Sequence, residues 1–257
     1  MKKQIYKALD VLTAGKGFQR NISGFKLRIP VGYHNYFESY YELNNINFIN
    51  NYLGEGMKVI DIGAHIGLLS VIMAQKVKST GKVYSFEPTP STFRLLQKTI
   101  AINNSAGIIQ PNRLAVAEKR GKTFFYVTDI EAHNSNSLAN NKRNYGNEHK
   151  IDVELTSVDE FVLDHKISKI DFIKIDAEGA EYSVLKGCET TLRRDKPKMI
   201  LALHPLSIVN FGNSLGEIWD YLQTFGYTMV YKSEKIDRDF FIRQDDLFDV
   251  FLLDGSH

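Results

Sequence analysis

Apolar positions along this chain change their period several times, and each change marks an element. Over residues 1–14, Ile5, Leu9 and Leu12 fall on one side of a helix, a stripe that suits a core contact or a partner helix equally well. Residues 18–31, "FQRNISGFKLRIPV", shorten to a two-residue alternation and read as a hairpin turning at Ser23-Gly24. "YFESYYELNNINFINNYL" returns to helical spacing and stops at Gly54. From Lys58 onward short apolar runs alternate with helical stretches. "KVIDIG" precedes "GLLSVIMAQKV", "KVYSFEP" precedes "STFRLLQKTIAIN", and "NRLAVAE" follows as a third strand. Later "DFIKIDAEG" precedes "AEYSVLKGCETTLRR" and "KMILALHP" precedes "LGEIWDYLQTF", before "YTMVYK" and "DVFLLD" close the pattern. Strands apolar on both faces, alternating with helices, predict a mostly parallel sheet covered on both sides. No helical stretch separates the last two strands, so one of them is expected to run antiparallel.

Residues 121–158 interrupt this rhythm. "KTFFYV" and "IDVELTSV" read as added strands, and the Asn-rich segment between them, about 129–150, has almost no apolar anchor. A polar loop of that length is a surface insertion or a lid over a substrate. The expected organisation is a helical and hairpin extension over residues 1–55, packed on a core domain of residues 56–257 that carries the insertion.

Composition narrows the class without choosing the chemistry. The chain has 257 residues, 43% hydrophobic and 24% charged, enough to bury one large core. A net charge of +2 gives no strong field toward nucleic acid or a membrane surface. The single cysteine, Cys188, forms no internal disulfide and suits a reducing, cytoplasmic setting. Lys7 and Asp10 interrupt the N-terminal apolar stretch, against a signal peptide, and no run approaches the ~20 apolar residues that span a bilayer.

The chemistry begins at "VIDIGAHIGLLSVIMA", residues 59–74. Asp61 ends the apolar strand, and Gly63 and Gly67 occupy the turn before the helix. Glycines there let the backbone turn sharply and approach a ligand, and the helix start offers free N–H groups. Glu87 ends the next strand, 20 residues beyond Gly67, where a carboxylate accepts from both hydroxyls of a ribose. A dinucleotide site would require G-x-G-x-x-G; here the spacing is G-x-x-x-G with Asp61 just ahead of it. A carboxylate is awkward beside a pyrophosphate and favourable beside an amine and a sulfonium, as in S-adenosyl-L-methionine.

Taken in order, "VIDIGAHIG", "VYSFEP", "IDFIKIDAEGAEYSVLKG" and "KPKMILALHP" resemble the FkbM-type family of S-adenosylmethionine-dependent methyltransferases. The resemblance runs from about Tyr41 to His204, and "KIDAEGAE" is its most specific part. It implies a Rossmann-like class I methyltransferase with a seven-stranded sheet, and methyl transfer to a hydroxyl of a sugar or other natural product. It carries Asp61, Gly63, Gly67 and Glu87 over as cofactor contacts. His65, which stands where many relatives have Asn, offers mainly its backbone. Asn112, Ala115 and Val116 are expected to flank the adenine.

For catalysis, Lys174, Asp176 and Glu178 share one face of a strand that should be buried on both sides, an expensive placement unless they pair, as an ion cluster that only fixes the fold, or serve a purpose in an active site. Asp176 is the first candidate for the base or for the group orienting the acceptor, and His204 at the end of the next strand is the second. Glu181, in a first helical turn, is given a structural role because an acid favours that end of the dipole. Asp176, Glu178 and His204 are oxygen and nitrogen ligands of the kind a divalent metal takes, although no tight ligand spacing demands one. Lys119, Arg120, Lys122, Lys142 and Arg143 cluster about the insertion, where a solvated face or attraction of a phosphorylated or nucleotide-linked acceptor explains them. Among Tyr33, Tyr36, Phe37, Tyr40 and Tyr41, most are expected in the core and one or two against a sugar face.

The leading expectation is therefore O-methylation of a small hydroxylated metabolite. Methylation of nitrogen or of nucleic acid is the alternative, though no basic stripe with interleaved aromatics supports the latter. A non-catalytic cofactor-binding module is the reading from a different class. A homodimer through the N-terminal helix is compatible with its stripe.

Overall fold

The computed structural model describes residues 2–33, 37–128 and 148–255. Tyr36, Lys142, Arg143 and nearly all of the Asn-rich segment lie outside these residues. The chain opens with α1 (Lys2–Leu12) and the hairpin β1 (Phe18–Ile22) and β2 (Phe25–Ile29). Ser23 and Gly24 form its turn with φ of 48° and 91°, the left-handed pair that matches strand twist. Leu12 is exposed, so the apolar stripe of α1 does not continue into the core at that end. An ion pair from Asp10 to Lys98 (2.7 Å) ties α1 down. Of the helix expected from Tyr36, which itself lies outside the described residues, α2 (Leu43–Tyr52) is formed; Glu42 ahead of it adopts φ 46° and residues 39–42 form turns.

The alternating region then unfolds in order: β3 (Lys58–Ile62), α3 (Leu68–Val77), β4 (Lys82–Phe86), α4 (Pro90–Ile102) and β5 (Ile109–Asn112). The third strand therefore precedes most of "NRLAVAE". Ile109–Asn112 pair with β4 as the sheet edge, where Pro111 lacks no needed donor. The chain then leaves this sheet. β6 (Ala115–Val116), β7 (Gly121–Thr128) and β8 (Glu148–Thr156) form a separate three-stranded sheet in the order β6-β8-β7. A full Ser157/Glu160 capping box then starts α5 (Val158–Asp164), which sequence reading passed over.

β9 (Phe172–Asp176) re-enters the main sheet beside β3. The single helix expected over 180–194 is two, α6 (Glu181–Lys186) and α7 (Glu189–Asp195). The break has a steric cause. Gly187 lies against the 115–117 backbone so closely that a Cβ there would sit 2.1 Å from the Ala117 oxygen. β10 (Lys198–Leu203), α8 (Pro205–Asn210), α9 (Leu215–Gln223), β11 (Tyr227–Tyr231), β12 (Glu234–Lys235), α10 (Arg238–Ile242) and β13 (Phe248–Asp254) complete the chain. A short helix, α10, thus does separate the last two long strands.

The main sheet has the order β12-β11-β13-β10-β9-β3-β4-β5. Strands β10, β9, β3, β4 and β5 are parallel, and β13 inserts antiparallel between β10 and β11. This is the seven-stranded, mostly parallel arrangement expected, with the two-residue β12 as an added edge. Alternate side chains supply two cores. Ile60, Ile173 and Leu201 face α5, α6 and α9, while Val59, Phe172 and Ile200 face α2 and α3. α3 is buried almost all round, since the sheet covers one side and β2 the other. Each such buried aliphatic or aromatic side chain contributes roughly 1.5–3 kcal/mol. Strand order reverses at β3, which has β4 on one side and β9 on the other; ligands of open α/β sheets bind at that crevice.

Gly187→Ala should push apart the 115–117 segment and the α6–α7 break, costing about 1–3 kcal/mol of unfolding free energy. Urea denaturation followed by circular dichroism measures this, and an unchanged midpoint would show that the contact relaxes freely.

Candidate active site

One cavity of about 400 Å³ opens at the carboxyl ends of β3, β4, β9 and β10. Its walls include Asp61, Gly63, His65, Gly67, Glu87, Ala115, Val116, Lys174, Asp176, Glu178 and His204, which are eleven of the twelve site residues expected from sequence. Asn112 is the exception. Its amide donates to the Gln110 (3.0 Å) and Ser85 (3.4 Å) carbonyls, so it serves the sheet edge rather than the cavity.

The glycine turn forms one end. Gly63 adopts φ 72° and passes so close to β9 that a Cβ would lie 2.0 Å from the Asp176 carbonyl oxygen. Its N–H, with that of Ala64, donates to the Phe86 carbonyl (3.1 and 2.9 Å), which binds the turn to β4. Gly67 caps α3 at φ 87°, with Leu96 filling the space a side chain would need. His65 also takes a positive φ, 52°, and its N–H donates to Glu87 Oε2 (3.2 Å). The N–H of Thr89 donates to Glu87 Oε1 (2.9 Å). Burial pushes the Glu87 carboxyl up to about 7, against these two donors.

Asp61 is fully buried beneath the turn, in register with Lys174 of β9 and Ser85 of β4. Its Oδ2 accepts from Ser70 (2.5 Å), while Oδ1 has no hydrogen-bond partner among the described residues. Burial raises its pKa, and Lys174 and Ser70 oppose that rise. An orphaned carboxylate oxygen below a glycine turn suits a cationic or hydroxyl-bearing ligand above it.

The other end gathers the charged residues of β9 and β10. Lys174 donates to the Gly63 carbonyl and to Asp176 Oδ2, both at 3.1 Å. Burial alone would discharge Lys174, but Asp176, Asp61 and Glu42 outweigh it and hold it protonated. Burial would likewise raise Asp176, yet Lys174 and His204 keep its carboxyl below the usual range. His204, at the tip of β10, is oriented by Glu181, whose Oε1 lies 2.9 Å from Nδ1. Nε2 then points toward Glu178 Oε2 (3.6 Å) and Asp176 Oδ1 (3.8 Å). Burial disfavours its charge, but the three carboxylates prevail and push His204 up to about 9. Glu181 is thus more than the dipole partner expected of it: it is wholly buried, accepts also from the N–H of Gly179 (2.9 Å) and Ala177 (3.3 Å), and holds the histidine. Donor atoms of Asp176, Glu178 and His204 fall within 4.8 Å of one another, a spacing a divalent cation can bridge, although Lys174 already sits on Asp176 as a resident cation.

Sequence reading missed other wall residues, namely Glu42, Asn45, Thr89, Phe125, Ala202 and Asp249. Only Thr89, two residues past Glu87 in "FEPTPS", carried a local signal. Of the aromatics before β3, Phe37 and Tyr41 line the cavity, whereas Tyr40 is exposed. Lys119, Arg120 and Lys122 do not line it, and Arg120 pairs with Asp164 instead.

A doubly wound sheet whose first strand ends in a glycine turn and whose second ends in a buried carboxylate is the pattern of nucleoside-binding α/β folds, class I methyltransferases among them. Within that class, a family model described as the methyltransferase FkbM domain matches residues 61–229, and the chain belongs to this family. Its cofactor is S-adenosyl-L-methionine. The residues present fit that molecule: the Gly63–Gly67 turn leaves room for close approach, Glu87 offers oxygens for ribose hydroxyls, and Asp61 holds an unused oxygen. Curated relatives include methyltransferase sdnD of Sordaria araneosa, 28% identical over 51% of this chain and 60% of the relative. The hexuronic acid methyltransferase AglP of Haloferax volcanii is 29% identical over 52% of this chain and 50% of its own length. The chain therefore spans half to three fifths of these relatives. Among solved structures, methyltransferase FkbM from Methylobacillus flagellatus superposes with a TM-score of 0.51 at 14% identity, covering 81% of this chain and 50% of that one, a likeness of fold. Among the described residues no helix is long and apolar enough to cross a membrane.

Glu87→Gln keeps the side chain's shape and removes its charge, and should weaken S-adenosylmethionine binding at least about tenfold in calorimetry at pH 8. In the unsubstituted protein the same affinity should decline as pH falls below about 7, where Glu87 takes up a proton. Equal affinity for both proteins across that range would remove Glu87 from the cofactor site.

Proposed function

We propose that the chain methylates a hydroxyl oxygen of a sugar or another small hydroxylated metabolite. The observation that carries this reading is the position of His204: its Nδ1 is fixed by a buried carboxylate, and its Nε2 faces the acidic end of the same cavity that holds the glycine turn. S-adenosylmethionine supplies the methyl group, attached to a sulfonium. The protein's part is to hold an acceptor oxygen in line with it and to take the hydroxyl proton. Positioning of this kind lowers a barrier by up to ~7–11 kcal/mol. Phe37, Leu114 and Val116 line the cavity and limit water there.

Asp176 acts as the orienting group. It is ionised, paired with Lys174 through Oδ2, and its Oδ1 faces His204. A hydroxyl donating to Asp176 lies within reach of Nε2, and neutral His204 accepts its proton. Glu181 supports that transfer by stabilising the imidazolium, much as a carboxylate behind any catalytic histidine does. General-base help of this type contributes about 10²–10⁴-fold. The name of the Haloferax relative supports a sugar acceptor at the level of class.

The pH dependence follows from the sign of the histidine's shift. His204 is protonated below about 9 and cannot accept a proton in that state. The acceptor kcat/KM should therefore climb about tenfold per pH unit from pH 7 and level off near 9. His204→Asn should erase that limb. Asp176→Asn should lower kcat by about 10²-fold or more while calorimetry shows cofactor binding intact. A profile flat from pH 6 to 9 would transfer the base role to a carboxylate.

A further inference from the structure

The acceptor end of the cavity carries a charge pattern that neither the pH argument nor the family match uses. Asp176, Ala202 and Asp249 stand side by side on β9, β10 and β13, each the register partner of the next. All three line the cavity, so their side chains share one face. Ala202 is the small member, and its methyl leaves a gap between the two carboxylates. Above Asp249 lies Glu42, just ahead of α2. The Asn45 amide donates to both, at 3.0 Å to Asp249 Oδ2 and 3.2 Å to Glu42 Oε2. Both amide hydrogens are spent on those acids, which fixes the amide's orientation and leaves Asn45 Oδ1 buried with no hydrogen-bond partner among the described residues. Two carboxylates are thus held together across an amide at the cavity wall, and burial and Glu42 push Asp249 up to about 6.

Counterions at or beside this end are Lys174, His204 and His65, against Glu42, Asp176, Glu178 and Asp249. Lys174 is committed to Gly63 and Asp176, and His204 to Glu181. No arginine lines the cavity among the described residues. Carboxylates on a cavity wall accept hydrogen bonds from hydroxyls and ammonium groups. They repel a second carboxylate or a phosphate, and a partly buried setting strengthens that repulsion.

We infer that Glu42 and Asp249 select the acceptor: a polyol that is uncharged or bears an amine is taken, and one bearing a carboxylate or phosphate is refused. This rests on the methyl-transfer reading above and departs from the hexuronic acid in the name of the Haloferax relative. It also departs from a phosphorylated acceptor drawn in by basic residues, of which Lys119, Arg120 and Lys122 lie off the cavity. Glu42 and Asp249 act as specificity residues by the charge they present.

The test compares methyl glucoside with two analogues, each altered from it at one position: the glucosaminide, with an amine in place of a secondary hydroxyl, and the glucuronide, with a carboxylate in place of the primary alcohol. Turnover is read by transfer of tritiated methyl, and calorimetry follows S-adenosylmethionine binding in parallel. The glucuronide should show kcat/KM at least about tenfold below the other two, and the Glu42→Gln/Asp249→Asn protein should narrow that gap to about threefold with cofactor affinity unchanged. A glucuronide used as well as the glucoside, a gap that persists in the double variant, or no turnover of any of the three by protein that binds the cofactor, overturns the inference. Failure to bind the cofactor at all is a different outcome: it strikes the methyl-transfer reading first and this one with it.

Discussion

The site depends on one close approach, that of the Gly63 backbone to the carbonyl of Asp176. A Cβ at Gly63 would sit 2.0 Å from that oxygen, so only glycine lets the turn after β3 rest on the tip of β9. Lys174 then clasps the two by donating to the Gly63 carbonyl and to the Asp176 carboxylate. The consequence is geometric. The glycine turn and Glu87 follow β3 and β4, Asp176 and His204 stand at the tips of β9 and β10, and the switch between β3 and β9 would separate the two sets without that contact. Because the turn touches both, the position of Asp176 is coupled to the shape of the glycine turn.

The same region concentrates charge that folding does not need. Asp61, Glu181 and Lys174 are all buried. Asp61 Oδ1 and Glu181 Oε2 lack hydrogen-bond partners among the described residues. Replacing such groups with apolar ones of similar size often stabilises a protein, so their presence argues for chemistry over stability. The contrast with α3 is instructive. There eight of the ten residues are buried, Ser70 is the polar one among them, and Ser70 is the residue that supports Asp61.

Much of this was legible in the sequence because it is local. The alternation of short apolar strands and helices gave the sheet; the strand-end positions of Asp61 and Glu87 put both at one cavity; the period of two in Lys174, Asp176 and Glu178 placed them on its wall. What escaped was set by contacts between distant segments. "NRLAVAE" reads as a strand and is apolar enough to be one, but Ile109–Asn112 takes the edge of the main sheet and only Ala115–Val116 pair, with β8. The split of α6 from α7 arises from the approach of Ala117 to Gly187, seventy residues away in the chain. Glu42, Asn45 and Asp249 meet only because β13 inserts between β10 and β11, a topology no local pattern encodes. Glu181 was found but underread, since its helix position explained it before its histidine partner was visible.

Backbone strain illustrates how little a single local signal decides. His65 and Glu178 both take φ near 50°, in the turns that follow β3 and β9, and both line the cavity. A non-glycine residue there costs of the order of 1–3 kcal/mol, which invites a functional reading. Yet among the described residues nine other non-glycine residues share the conformation, Ala14, Lys166 and Lys232 included, and none of those three lines the cavity. What separates His65 is the use made of its geometry: the left-handed turn aims its N–H at Glu87 Oε2. Glu178 is separated in the same way, because its turn leaves Oε2 facing His204 across 3.6 Å. The strain marks these positions only in company with the partner each one reaches, and in both cases that partner is a titratable group on the neighbouring strand end.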